Sequence, residues 1–78
     1  MPRLIPVPWK ILECIFIKAG FSFERKHGSH NVYVKDGVAR PVIIPEHSKD
    51  IRVDIIKGLM RTADMSREEY FRLLKECR

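Results

Sequence analysis

The sequence predicts an α+β domain in the order α-β-β-β-α-α, with helices covering one face of a three-stranded antiparallel sheet. Three observations predict it. Apolar residues recur at helical spacing near the N-terminus. They then shift to short β-prone runs bounded by turn residues, and finally return to helical spacing over the last third of the chain. At 78 residues there is room for one core, so residues 1–78 are read as a single domain. Apolar residues make up 45% of the chain and charged residues 32%, a balance that folds rather than stays disordered.

The first helix is expected over residues 8–19. Beyond Pro8, the residues Ile11, Leu12, Ile15, Phe16 and Ala19 share one helical stripe, and Gly20 stands where a left-handed residue ends a helix. Phe21-Ser22-Phe23-Glu24-Arg25-Lys26 alternates before running into charge and reads as the first strand, with Gly28-Ser29 as the turn after it. His30 to Lys35 is the second strand. Asp36-Gly37 is a two-residue hairpin signal, and Arg40 to Ile44 is the return strand, closed by Pro45. Pro41 has no N–H to donate and suits the start or edge of that strand.

Ile51, Ile55, Ile56, Leu59, Met60 and Ala63 mark a second helix. Its Gly58 costs about 1 kcal/mol against Ala, which close packing would explain. Ser66-Arg67-Glu68-Glu69 is a capping box, with Met65 and Tyr70 spaced as a hydrophobic staple. The third helix should bury Tyr70, Phe71, Leu74 and Cys77; Trp9, Phe21 and Phe23 are also assigned to the core. Three strands are too few to stand alone, so the helices must cover one face.

The longest apolar run, Cys14 to Ile17, falls far short of the roughly 20 residues of a membrane span. Prolines 2, 6 and 8 interrupt any secretory apolar segment, and a cytoplasmic location is expected. Cys14 and Cys77 match neither a metal pattern nor a dense disulfide framework and are read as reduced thiols. Fifteen Lys and Arg against ten Asp and Glu leave a net charge of +5, which favours a polyanionic partner.

The residues with chemical potential cluster near the sheet. His27 and His30 are three apart in extended or turn structure, where side chains tend to diverge, and no Cys or carboxylate stands at a partnering spacing, so no metal site is expected. Ser29 lacks a nucleophile-elbow sequence, and no phosphate-cradling glycine loop is present. What remains is a polar, basic and aromatic stretch: Arg25, Lys26, His27, Gly28, Ser29, His30, Asn31, Tyr33 and Lys35. It reads either as a solvated hairpin or as a nucleic-acid surface. In the second reading cations bind phosphate, Tyr33 stacks on a base, and a neutral imidazole takes the proton of a ribose 2′-hydroxyl. Cross-strand packing is the equal alternative for Tyr33.

Gly20-Phe21, then Arg25-Lys26-His27-Gly28-Ser29-His30-Asn31-Val32-Tyr33, then Val42-Ile43-Ile44-Pro45-Glu46-His47 resembles the HicA (YcfA-like) family of messenger-RNA interferase toxins. The shared elements are a helix ending in Gly-Phe, a Gly-Ser-His triplet opening the second strand, and a Pro-x-His after the third. The resemblance implies a double-stranded-RNA-binding-domain-like fold, an endoribonuclease needing neither metal nor cofactor, and neutralisation by a HicB-type antitoxin. Position by position, His30 matches the catalytic histidine, Gly28 and Ser29 the residues that present it, and His47 the second motif histidine. Arg25, Lys26, Gly28, Ser29, Asn31, Tyr33, Lys35 and His47 are expected to bind RNA, with His47 and Lys35 as candidate proton donors. Arg52-Val53-Asp54 and the proline-rich first eight residues depart from the family pattern. The alternative reading is a noncatalytic RNA-binding module of the same fold.

Overall fold

In the computed structural model, which describes residues 3–78, the first helix α1 (Trp9–Lys18) starts directly after Pro8. Its end is a complete Schellman motif. Gly20, at φ +105°, donates its N–H to Ile17 O, and the Phe21 N–H reaches back to Phe16 O, both at 3.0 Å. The rings of Phe16 and Phe21 meet edge to face at 5.7 Å, the apolar contact that accompanies this motif. The turn thus delivers the chain into the sheet.

Strands β1 (Ser22–His27), β2 (His30–Val34) and β3 (Val42–Pro45) form an antiparallel meander in the order β1-β2-β3. Helices α2 (Val53–Thr62) and α3 (Arg67–Cys77) complete the α+β fold; α1 and α2 lie against β3, and α3 packs beside α1. Val42, Ile44 and Tyr33 of the sheet join Leu12, Ile15 and Phe16 of α1, Ile56 and Leu59 of α2, and Tyr70 and Leu74 of α3 in one buried cluster. Ile11, Ile55, Phe71 and Trp9 pack against its margin and are only partly buried. The capping box forms as expected, with Ser66 Oγ accepting from the Glu69 N–H at 3.1 Å.

Five expectations need correction. Cys14 and Cys77 are joined in a disulfide, because side-by-side packing of α1 and α3 brings their Cα atoms to 5.9 Å, within bridging range. Ile51 precedes α2 rather than belonging to it, exchanging backbone hydrogen bonds with Val7 at 3.3 and 2.7 Å. Asp36-Gly37 makes a turn, with the Val38 N–H on Lys35 O. However, β3 rejoins β2 only at Val42 opposite Tyr33, so the connection is a longer loop. Gly58 is not a close-packing site, since a Cβ there would meet nothing within 4 Å. Phe23 is 53% exposed because the helices are set over the β3 side of the sheet and all of β1 is left open.

Candidate functional site

Gly28 and Ser29 form a two-residue turn between β1 and β2, and Gly28 takes the left-handed φ of +63° that such turns demand. The turn makes His27 and His30 direct cross-strand partners. Directly opposed residues point to the same face, so the expected divergence of these two histidines does not occur. The same register pairs Arg25 with Val32; beyond it the register shifts between Phe23 and Arg25, leaving Glu24 as the extra residue of a bulge and pairing Phe23 with Tyr33. Arg25 and His27 therefore share a face with His30 and Val32. On β3 that face carries Ile43, opposite Val32, and Pro45, opposite His30.

This is the face the helices do not cover. Arg25, His27, His30, Val32 and Ile43 line one open cavity of about 270 Å³, with both imidazoles and the guanidinium exposed. Arg25 Nη1 also pairs with its neighbour Glu24. An exposed cation and two imidazoles over an apolar floor of Val32 and Ile43 can receive an anion and can donate or accept protons.

The opposite face behaves differently. Asn31 is 4% exposed and donates its Nδ2 to Glu46 Oε2 at 3.0 Å, while Lys26 Nζ lies 3.1 Å from the same oxygen. The Glu46 N–H in turn donates to Ser29 O at 2.7 Å. Glu46 thus ties β1, β2 and the Gly28-Ser29 turn to the end of β3. Its carboxyl is held below the usual range, first by the Asn31 hydrogen bond and then by Lys26. Asn31 and Lys26 hold the hairpin in shape rather than stand free for a ligand.

Tyr33 is fully buried, and its hydroxyl donates to the Glu13 carboxylate of α1. Burial, and then that carboxylate, raise the phenol's pKa. Of the two roles open to Tyr33, packing is the one it takes; no ring face is offered to a base. Lys35 lies at the far end of β2, donates to Ala19 O at 2.8 Å, and caps α1. His47 follows β3 and lines a different cavity of about 450 Å³ with Ser48, Lys49, Asp50 and Arg52. Of the expected site residues, the fold brings Arg25 and His30 together, with Gly28 and Ser29 in the turn that leads into His30. It separates off Lys26, Asn31, Tyr33, Lys35 and His47.

Two residues escaped the sequence reading. Nothing in the sequence gives His27 a role once a metal site is set aside, although the turn signal at Gly28-Ser29 implies its pairing with His30. Glu46 gave no signal, since its partners come from two other strands. Among the described residues no three of His, Cys, Asp or Glu are grouped to hold a metal ion.

Residues 9–65, from the start of α1 to just past α2, match the family model described as HicA toxin of bacterial toxin-antitoxin. The chain belongs to the HicA toxin family. The match contains the whole hairpin and the Pro45-Glu46-His47 segment, and leaves α3 outside it. No curated protein matches the chain. HicA membership makes it the toxin of a toxin–antitoxin pair and implies an antitoxin as partner. No helix among the described residues is long and apolar enough to cross a membrane.

Proposed function

We propose that this HicA protein is a metal-independent endoribonuclease that cleaves messenger RNA and is silenced by a HicB-type antitoxin. The supporting observation is the position of His30: exposed at the first residue of β2, on the bare sheet face, in the same cavity as Arg25. The His30 imidazole takes the proton of a ribose 2′-hydroxyl, and the resulting oxyanion attacks the adjacent phosphorus. The bond to the 5′-oxygen breaks and that oxygen takes up a proton from the solvated face, leaving a 2′,3′-cyclic phosphate and a 5′-hydroxyl. Arg25 neutralises the nonbridging oxygens as charge builds on them. Both groups come from this chain, and no step calls for a metal.

The antitoxin acts by covering the same face. A net charge of +5 favours an acidic partner and speeds its association. Of the cations expected to bind RNA, Arg25 alone shares the face of His30. Lys26 is engaged with Glu46 and Lys35 with the end of α1.

Growth on induction, together with cleavage of a synthetic RNA by purified protein, tests the proposal. His30→Ala should abolish growth arrest and lower cleavage by about 10²- to 10⁴-fold with an unchanged melting temperature, since an exposed histidine adds little to packing. Cleavage by wild type should persist in excess EDTA. Wild-type rates in His30→Ala refute the catalytic assignment, and RNA binding without cleavage by wild type points to the noncatalytic module.

A further inference from the structure

From the cross-strand pairing of His27 with His30 we infer that His27 is the general acid of the cleavage reaction, protonating the departing 5′-oxygen while His30 deprotonates the nucleophile. The inference rests on the ribonuclease reading above and assigns it a residue that the family match does not name.

The geometry carries it. His27 and His30 flank a two-residue turn as direct register partners, which places their Cβ atoms about 5 Å apart on one face. Both line the same cavity. An in-line displacement at phosphorus puts the attacking 2′-oxygen and the leaving 5′-oxygen on opposite sides of the phosphate, so base and acid must approach from two sides. Two imidazoles on neighbouring strands, with a phosphate seated between them, meet that demand. Arg25 stands two residues before His27 on the same face of β1, within reach of the nonbridging oxygens.

The proton balance closes without a further reactant. One proton leaves the 2′-hydroxyl for His30, and one passes from the His27 imidazolium to the 5′-oxygen as the P–O5′ bond breaks. The pair finishes in exchanged protonation states and resets through solvent. Few other groups interfere. On β1 the facing charge is Arg25, paired with Glu24; β2 adds only apolar Val32, and β3 only Ile43 and Pro45. Lys26, Asn31 and Glu46 are bonded together on the other side of the sheet.

The test compares His27→Ala and wild type on two substrates over a range of pH. One substrate is an RNA oligonucleotide; the other is a uridine 3′-(4-nitrophenyl) phosphodiester, whose leaving group departs without a proton. Wild type should show a bell-shaped kcat/KM profile on RNA, falling at low pH as the base is protonated and at high pH as the acid is lost. His27→Ala should fall about 10²- to 10⁴-fold on RNA, lose the alkaline limb, and stay within about tenfold of wild type on the aryl ester. His30→Ala should fail on both substrates. An equal loss on both substrates in His27→Ala, a retained alkaline limb, or wild-type rates on RNA overturns the assignment of His27 and leaves His30 standing. No cleavage of either substrate by wild type overturns the ribonuclease reading, and this inference with it.

Discussion

Breaking the Cys14–Cys77 disulfide, with a reductant or by the paired substitutions Cys14→Ala and Cys77→Ala, should remove a large share of the stability of the fold. The two cysteines are 63 positions apart, so the closed loop contains the whole sheet and α2. Chain entropy for a loop of that length gives about 4 kcal/mol, all of it exerted on the unfolded state. A domain of this size holds only about 4–12 kcal/mol in total, so the loss is a third of it or more. In melting temperature the same figure is a fall of roughly 15–30 °C. The bridge also ties α3, which lies beyond the family match, to α1, which lies within it. The assay is urea unfolding followed by far-UV circular dichroism, with thiol titration confirming the redox state before each run. A difference under about 1 kcal/mol between oxidised and reduced protein would refute the loop-entropy reasoning.

Two other perturbations have signs set by the structure. Gly58→Ala should stabilise by about 0.8–1 kcal/mol, because the added methyl meets no neighbour while the helix loses its most flexible residue; a lower denaturation midpoint would refute that reasoning. Glu46→Gln should flatten the acid side of the stability profile. The carboxyl is held low in the folded state by Asn31 and Lys26, so its contribution is present above the unfolded value of about 4.3 and is lost as pH falls through the lower folded one. Melting temperatures taken across that range should converge for the two proteins at the acid end, and parallel curves would mean that the clamp does not titrate.

The elements with local signals were legible before any coordinates. Gly20 ends α1 as its position required, Ser66 caps α3, and Gly28-Ser29 turns the hairpin, because each is decided by a few neighbouring residues. The misreadings all depend on what lies across the fold. The cysteine pairing needed the packing of α1 on α3. The exposure of Phe23 needed the placement of the helices over β3. Ile51 has the spacing of the second helix, yet Val7 claims its backbone. At the site, the two-residue turn fixes which residues of β1 join His30, while the bulge at Glu24, which no local signal marks, moves Phe23 off that face. Tyr33 and Asn31 carry the composition of a binding surface, and only the positions of Glu13 and Glu46 show them turned to internal work.

All six residues of β1 are exposed, and the strand has a pairing partner on one side only. A bare strand edge is a template on which further chains can be laid down, and a sheet with an uncovered face is doubly open to that fate. Here the edge protects itself. The bulge breaks the even spacing of hydrogen-bonding groups, and Glu24, Arg25 and Lys26 would all have to be dehydrated against an incoming copy. The freed toxin can thus keep this face naked at rising concentration without polymerising, so resistance to self-association is built into the strand that borders His30.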